Sequence, residues 1–234
     1  MCGRYVLALQ PVLFPQAYGL DAPAGYRPRY NITPGIDILT LRAGQDGERC
    51  WAWQHWGLVP PWAAGPSDRG KQINARSETA HQKPMFRDAF KRRRCLVPAE
   101  GYYEWAQIGP GKKQPLYCHI KGAPPMAFAA IWHRIRLPDD SVCESVAILT
   151  AAAEGAMAGL HPRMPLMLPA DRFDAWLDPA RQKADEIHAI MQGFGEADIV
   201  WHEVSTAVNS IRSEGPGLIA PLERQPEPVQ PSLF

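Results

Sequence analysis

A run of strand-like segments between residues 95 and 150 limits the folds open to this chain more than any other feature. Its five members are separated by gaps of hairpin length and span 95–97, 101–107, 115–120, 127–132 and 142–150. Parallel strands need crossover connections of about a dozen residues or more, usually a helix. The pattern therefore predicts mainly antiparallel pairing and excludes an alternating strand–helix wind.

Further elements are predicted on both sides of this run. Strands are expected at 4–9, 36–41, 50–58 and 199–204, and short helices at 84–93, 151–160, 169–177 and 180–191. We therefore expect an α+β fold, built as a mixed, mainly antiparallel β-sheet or open barrel with peripheral short helices. This domain covers residues 1–220, and the Pro-, Glu- and Gln-rich residues 221–234 are expected to form a flexible tail.

Composition excludes several classes of protein. The 234 residues carry a formal net charge of +1, so affinity for nucleic acid would have to come from a local patch. The five cysteines show no C-x-x-C pair and no zinc-like spacing with histidine, which predicts no metal, no cofactor and no disulfide framework. We find no signal-peptide pattern and no apolar run of about 20 residues. We expect a cytoplasmic protein without membrane contact, and a monomer.

The N-terminus offers a reactive pair of groups once the initiator methionine is removed. The small side chain of Cys2 permits that removal, which leaves an α-amine and a thiol on adjacent carbons. The amine ordinarily titrates near about 7.7–8.0 and a thiol near about 8.5, so both are partly nucleophilic at neutral pH. Such a 1,2-aminothiol condenses with an aldehyde to an imine, and the thiol then closes a five-membered thiazolidine. The alternative is that Cys2 has no function.

Three short polar motifs lie in apolar or aromatic surroundings, and the first spans 73–79. In it, Asn74 suits hydrogen bonding to a sugar or carbonyl oxygen, and Arg76 suits pairing with a phosphate. The alternative is a capped turn in which Glu78 pairs with Arg76. The residues alone leave both interpretations open.

The second motif spans 98–105. On a strand, Tyr102 and Glu104 share one face, while Tyr103 and Trp105 share the other. A carboxylate among aromatic rings is shielded from water and suits general acid–base catalysis. The alternative is an exposed glutamate on a half-buried strand.

The third motif spans 161–165, where two prolines fix the backbone around His161 and Arg163. Histidine is the side chain that most readily exchanges a proton near neutral pH, so His161 is a candidate for proton transfer. The alternative is a structured loop with a hydrogen-bonded histidine.

A basic stretch follows the first motif. Residues 69–94 carry nine Lys or Arg against two acids, and the charge is densest at Arg87 and the run 91–94. The aromatic residues Trp62, Phe86 and Phe90 lie in or near this stretch. Cations interleaved with aromatics suit single-stranded nucleic acid, because the former bind phosphates and the latter stack on bases. The alternative is a solvated helix face.

Taken together, these motifs resemble the SOS response-associated peptidase (SRAP) domain family. The matching segments occur in family order and cover residues 1 to about 220; they are MCGR (1–4), YNITPG (30–35), WGLVPPW (56–62), INARSET (73–79), RCLVPAEGYYEW (94–105), AILTAAAEG (147–155) and HPRMP (161–165). The resemblance implies binding to single-stranded DNA at abasic sites. It also implies a covalent cross-link, a thiazolidine between the N-terminal cysteine and the ring-opened sugar aldehyde.

The resemblance also implies roles for individual residues. Those implied for catalysis are Cys2, Asn74, Glu104 and His161, with His161 opening the sugar ring and Glu104 moving protons. Those implied for DNA binding are Arg4, Arg76 and Arg163 at the backbone, Trp62, Met85 and Phe86 at the bases, and Pro34, Trp105 and Thr150 in the pocket. An abasic-site lyase activity and autoproteolytic removal of Met1 are further implications. Two alternatives remain, a thiol peptidase acting on other proteins and a non-covalent DNA-binding module.

The C-terminus suggests a protein partner. The last five residues, from Gln230 to Phe234, are similar to the short peptides by which bacterial DNA-repair proteins bind the replication sliding clamp. A flexible tail that ends in two apolar residues suits a hydrophobic pocket on such a partner. The alternative is chance at a Pro-rich terminus.

Overall fold

The computed structural model describes residues 2–44, 46–60, 62, 72–136 and 140–223. The strands within these residues are β1 (Tyr5–Leu7), β2 (Arg29–Ile32), β3 (Asp37–Ala43), β4 (Arg49–Trp56), β5 (Asn74–Arg76), β6 (Arg94–Ala99), β7 (Gly101–Gly109), β8 (Lys112–Ile120), β9 (Met126–Arg136), β10 (Val142–Ala152), β11 (Arg163–Pro165), β12 (Met167–Pro169) and β13 (Ile199–Glu203). The α-helices are α1 (Phe14–Tyr18), α2 (Ser77–Ala80), α3 (Arg87–Arg92), α4 (Gly155–Leu160), α5 (Phe173–Leu177) and α6 (Ala184–Ile190). None of these helices is long and apolar enough to cross a membrane.

Five strands form a closed barrel, because the two strands at the ends of the run, β10 and β9, also pair with each other. The ring runs β10–β4–β3–β6–β9 and returns to β10. The closing pair is long, with registers from Val142↔Arg136 to Ile148↔Ala130. Within the ring only the pairing of β10 with β4 is parallel. The α+β class and the mainly antiparallel pairing are confirmed, and the barrel is closed rather than open.

A second sheet, in the order β13–β8–β7–β1–β2, shares its core with the barrel. Its two faces bury different sets of residues. Tyr5 and Tyr102 belong to the main core, whereas Tyr103 packs in a smaller cluster that includes Val208 and Leu218 from the C-terminal segment. The predicted alternation of Tyr102 and Tyr103 between the two faces is therefore confirmed.

The chain passes from the barrel to the second sheet between β6 and β7. The Glu100 amide donates to the Val6 carbonyl at 2.9 Å, which fastens this crossing to β1. A side chain at Gly101 would place its Cβ 2.6 Å from the Cys118 carbonyl oxygen. Glycine is required here by the close approach of β8, since the position has no positive φ. This tight junction fixes the start of the strand that carries Glu104.

Several predicted boundaries differ from those observed. The helix predicted at 84–93 is confined to α3, with Phe86 at its N-cap. The helix predicted at 151–160 begins only at Gly155, because β10 continues to Ala152 and pairs there with β11. Periodicity misses β2, β5, β11 and β12, since three or four residues are too few to show an alternation. Most of the predicted tail, from residue 224, lies outside the described residues.

Candidate active site

The C-terminal half of β10 brings three of the sequence motifs together. On one edge it pairs in parallel with β5, so that Thr150 lies opposite Arg76. On the other edge it pairs antiparallel with β11, which sets Ala152 opposite Arg163. Segments 73–79, 147–155 and 161–165 are therefore neighbours in space although they are distant in the chain.

An open pocket of about 380 Å³ lies over this junction. The residues that line it are Gln72, Asn74, Arg76, Lys83, Phe86, Thr150, His161, Pro162 and Arg163. Six of these nine are site residues that the sequence predicts, and Gln72, Lys83 and Pro162 are not. The signal available for Lys83 is its place in the basic stretch, shortly before Phe86.

Cys2 is buried, and its main chain is held by a residue of this pocket. The Asn74 side chain donates from Nδ2 to the Cys2 carbonyl oxygen at 2.8 Å. The Cys2 side chain has no exposed surface, and Glu104 is 7% exposed. The Glu104 carboxylate lies close enough to Cys2 to affect its pKa. The structure therefore brings Cys2, Asn74 and Glu104 together from the N-terminus, β5 and β7.

Burial decides the protonation state of the Cys2 sulfur. Loss of hydration disfavours the thiolate and, together with the Glu104 carboxylate, raises the pKa of Cys2 to about 12. The positive charge of the amino terminus and a hydrogen bond from the Arg4 main chain act in the opposite direction but are outweighed. At neutral pH the sulfur is therefore a thiol, and an uncharged α-amine on Cys2 would be the stronger nucleophile.

The Asn74 amide offers an acceptor that none of the described residues uses. Its Oδ1 is buried and has no hydrogen-bond partner among the described residues, while its Nδ2 donates to Cys2. A buried polar atom left without a partner costs about 1–3 kcal/mol. An amine on the N-terminal residue would satisfy this oxygen, so Asn74 is suited to clamp Cys2 through both its carbonyl and its amine.

His161 is held by the main chain of Arg163. Its Nδ1 lies 3.0 Å from the Arg163 amide nitrogen and 2.9 Å from the Arg163 carbonyl oxygen. A neutral ring accepts from the amide through Nδ1, and a protonated ring donates from Nδ1 to the carbonyl. The ring therefore keeps one orientation in both protonation states, which suits a residue that gives and takes a proton.

The side chain of Arg163 is tied within the protein. It forms a two-point ion pair with Glu78, with Nη1 to Oε1 at 2.6 Å and Nη2 to Oε2 at 2.9 Å. Its Nη2 also donates to the Thr150 carbonyl and lies 3.2 Å from Thr150 Oγ1. The sequence alternative in which Glu78 pairs with Arg76 is wrong, because the carboxylate is taken by Arg163 and Arg76 is exposed.

Arg4 and Trp105 do not line the pocket. Arg4 donates to Asn31 Oδ1 at 2.8 Å and to the Val208 carbonyl at 2.5 Å, and its guanidinium lies 5.6 Å from the centre of the Trp105 ring. Trp105 in turn donates from Nε1 to Asn209 Oδ1 at 2.7 Å. Both residues thus bind the C-terminal segment to the second sheet.

The apolar residues expected to meet the DNA are placed differently from one another. Phe86 is buried and lines the pocket. Met85 and Pro34 are half-buried and lie outside the pocket lining. Trp62 is 60% exposed, and its neighbours 61 and 63–71 lie outside the described residues. Among these four residues, Phe86 alone lies in the pocket.

The basic stretch is not a uniform charged surface. Arg94 is only 4% exposed and donates to the main-chain carbonyls of Trp176 at 2.7 Å and Phe90 at 3.0 Å. Arg93 pairs with Asp88. The interpretation of 91–94 as one solvent-facing basic run is wrong at Arg94, which stabilises the packing of α3 and α5 against β6.

The described residues show no group of three or more His, Cys, Asp or Glu that could hold a metal ion. The site instead combines a buried N-terminal cysteine, an amide, a carboxylate and a histidine at the end of a β-barrel. These features define a class of α+β proteins in which the residue after the initiator methionine lies in the core beside these polar groups. The sequence model of the SOS response associated peptidase (SRAP) family matches residues 1–211, and the chain belongs to that family.

Known relatives extend over nearly the whole chain. Abasic site processing protein YoqW of Bacillus subtilis (strain 168) is 32% identical over 222 residues, which cover 94% of this chain and 99% of that protein. Abasic site processing protein YedK of Escherichia coli (strain K12) is 32% identical over 231 residues, covering 95% of this chain and 100% of that protein.

Solved structures share the fold. A protein from Bacteroides thetaiotaomicron superposes with a TM-score of 0.83 at 22% identity, over 95% of this chain and 100% of that one. A phage-related protein from Bordetella bronchiseptica superposes with a TM-score of 0.71 at 32% identity, over 87% of this chain and 94% of that one.

The burial of Cys2 predicts slow alkylation. With a pKa of about 12, the thiolate is about one part in ten thousand at pH 8. Peptide mapping after timed exposure to iodoacetamide should show half-buried Cys50 modified well before Cys2. In denaturant both should react at similar rates. Modification of native Cys2 as fast as that of Cys50 would contradict the buried thiol.

Proposed function

We propose that this protein recognises abasic sites in single-stranded DNA and becomes covalently linked to them through Cys2 after Met1 is removed. The observation that carries the proposal is Cys2 held by Asn74 beside the Glu104 carboxylate. It is supported by the relatives in B. subtilis and E. coli, which are named abasic site processing proteins. The protein would act in the cytoplasm and lie on the nucleoid when bound to DNA.

The first step opens the sugar. An abasic deoxyribose is mostly a closed hemiacetal, and opening it requires a proton on the ring oxygen. His161 lines the pocket, and its Nδ1 lies 2.9 Å from the Arg163 carbonyl oxygen, so a protonated ring that donates to this carbonyl has its second proton, on Nε2, available for the sugar. We assign His161 the role of general acid in this step.

The second step joins the α-amine of Cys2 to the aldehyde carbon. The amine adds to the carbonyl, the resulting carbinolamine loses water, and an imine forms. Glu104 lies beside Cys2 and transfers the protons that these changes require. Asn74 keeps the amine in line, because its Oδ1 needs a donor and its Nδ2 already holds the Cys2 carbonyl.

The third step makes the link stable. The sulfur bonds to the imine carbon and its proton passes to the nitrogen, so a thiazolidine forms and no group leaves. Because burial keeps the sulfur protonated, the thiol supplies this proton itself. Without closure, β-elimination from the imine would break the strand on the 3′ side, which is a lyase activity.

Peptidase activity is proposed only for the chain's own terminus. Hydrolysis by a thiol requires a thiolate or an adjacent base. Cys2 has no exposed surface from which to reach a peptide bond of another protein, which argues against a peptidase that acts on other proteins. Glu104 beside the thiol supplies the base for cleavage of the bond between Met1 and Cys2.

Phosphate binding is assigned to Arg76 and Lys83. Both line the pocket, both are exposed, and neither forms an ion pair with any described residue. Arg163 differs, because Glu78 already neutralises it. The DNA would therefore meet two available cations in the pocket, whose lining also includes Phe86 from the main core.

The roles of the amine and the thiol can be separated by two readouts, a heat-stable adduct for the thiazolidine and a borohydride-reduced adduct for the imine. Protein lacking Met1 is incubated with single-stranded DNA that carries one abasic site, and the products are resolved on a denaturing gel. Wild-type protein should give a heat-stable adduct. Cys2→Ala keeps an α-amine, so it should form no heat-stable adduct and still give an adduct with borohydride, which reduces imines.

Cys50→Ala is the matched control, since this half-buried cysteine lies outside the site, and it should cross-link like wild type. A heat-stable adduct with Cys2→Ala would sink the thiazolidine step. If wild-type protein formed no adduct with or without borohydride, a non-covalent DNA-binding module would be the remaining interpretation.

Salt dependence can test the binding of phosphates. Removing one cation that neutralises a phosphate of single-stranded DNA should lower the slope of log K against log salt by about 0.7. Arg76→Gln and Lys83→Gln should each show this decrease in fluorescence anisotropy with DNA carrying a tetrahydrofuran analogue of the abasic site. Lys112→Gln, at the exposed start of β8, should not. Equal slopes for Lys83→Gln and Lys112→Gln would show that Lys83 binds no phosphate.

The sliding clamp is proposed as a partner through the C-terminal residues, which lie outside the described part of the chain. The support is the peptide from Gln230 to Phe234, with two apolar residues at its end. Replacing Leu233 and Phe234 with alanine should abolish clamp binding in calorimetry, because the apolar anchors are removed. Val229→Ala should leave it intact. Unchanged affinity in the double variant would rule this partner out.

A further inference from the structure

Glu78 holds together the three segments that form the pocket. Its Oε1 accepts from the Ala152 amide of β10 at 3.2 Å and from Arg163 Nη1 at 2.6 Å. Its Oε2 accepts from Arg163 Nη2 at 2.9 Å. One carboxylate on α2 therefore contacts β10 through the main chain and β11 through a side chain.

The position of Glu78 explains this bridging. β5 ends at Arg76 and α2 begins at Ser77, so no described residue continues as a parallel partner of β10 on this edge after Thr150. The Ala152 amide on that edge would have no strand carbonyl to meet. The Glu78 carboxylate takes the place of that carbonyl, and its second oxygen is left to fix the guanidinium.

Two contacts connect Glu78 with the reacting part of the site through Arg163. The guanidinium reaches Thr150, with Nη2 to Oγ1 at 3.2 Å. The Arg163 main chain holds His161 Nδ1, with the amide nitrogen at 3.0 Å and the carbonyl oxygen at 2.9 Å. A displacement of Arg163 would therefore be transmitted to the imidazole.

We propose that Glu78 is a positioning residue of this site, which sets the orientation of His161 by clamping Arg163. This proposal rests on the proposed function of His161 in opening the sugar ring. Glu78 does not touch the ligand in this role; it acts through the guanidinium and through the end of β10.

The partial burial of the Arg163 guanidinium makes its ion pair with Glu78 necessary. The Arg163 side chain is 15% exposed and that of Glu78 is 49% exposed, so the pair is partly desolvated. Arg163 Nε is buried and has no hydrogen-bond partner among the described residues. Without the carboxylate, a partly buried guanidinium keeps its charge and has no counter-charge, so it moves toward water. The hydrogen bond from Arg163 also lowers the pKa of Glu78, so the pair is fully ionised at neutral pH.

The test compares three variants at saturating DNA. Glu78→Gln keeps the shape and removes the charge, and Glu78→Asp keeps the charge on a shorter side chain. Asp88→Asn removes an acid of α3 that pairs with Arg93, outside the pocket. The single-turnover rate of cross-linking is measured with protein lacking Met1. Affinity is measured separately with tetrahydrofuran-containing DNA, which cannot react.

Glu78→Gln should lower the cross-linking rate by about tenfold or more, because a misplaced acid is no longer aligned with the sugar oxygen. Its affinity for the unreactive DNA should be equal or tighter, since one negative charge has left the pocket. Glu78→Asp should recover part of the rate, and Asp88→Asn should match wild type. A wild-type rate in Glu78→Gln would overturn the proposal.

A second measurement does not depend on cross-linking. Nuclear magnetic resonance of the free protein, with the His161 signals assigned from His161→Gln, should show imidazole shifts in Glu78→Gln and none in Asp88→Asn. Unchanged His161 signals would overturn the proposal even if the rate fell. If wild type itself formed no adduct, the proposed function would fail, and the imidazole shifts would still decide whether Glu78 orients His161.

Discussion

The pairing of β10 is the constraint on which the rest of the structure depends. This eleven-residue strand pairs with β9 and β4 along its first part, which closes the barrel, and with β5 and β11 along its last part, which assembles the pocket. A shift of one residue would turn Thr150 to the other face. The length of one strand thus couples the stability of the barrel to the geometry of the site.

Burial of Cys2 supports the proposed order of the chemistry. Cys2 lies in the main core and not on a mobile terminus, and that environment keeps its sulfur in the thiol form at neutral pH. In the proposed reaction the amine is therefore the first nucleophile, and the thiol follows with its own proton. Asn74 fits this order, because its Nδ2 holds the Cys2 carbonyl and its buried Oδ1 has no hydrogen-bond partner among the described residues.

The number of basic residues does not decide which of them can bind a ligand, because several are already paired within the protein. Arg94 donates hydrogen bonds to main-chain carbonyls in the core. Arg93 forms an ion pair with Asp88, and Arg163 forms one with Glu78. What the pocket retains are the exposed Arg76 and Lys83. A chain with a formal net charge of +1 can therefore present a local cationic surface without a global one.

The sequence by itself determined the antiparallel architecture and the opposite faces of Tyr102 and Tyr103, because short-range periodicity records these properties. Six of the pocket residues were implied by the resemblance of its motifs to a known family. The sequence could not determine the closure of the barrel or the partner of Glu78. Both depend on which distant segments meet along β10, and the ion pair forms with Arg163 and not with nearby Arg76. Only the tertiary structure decides such choices, since register and burial, rather than separation in the chain, set which charges come within reach of one another.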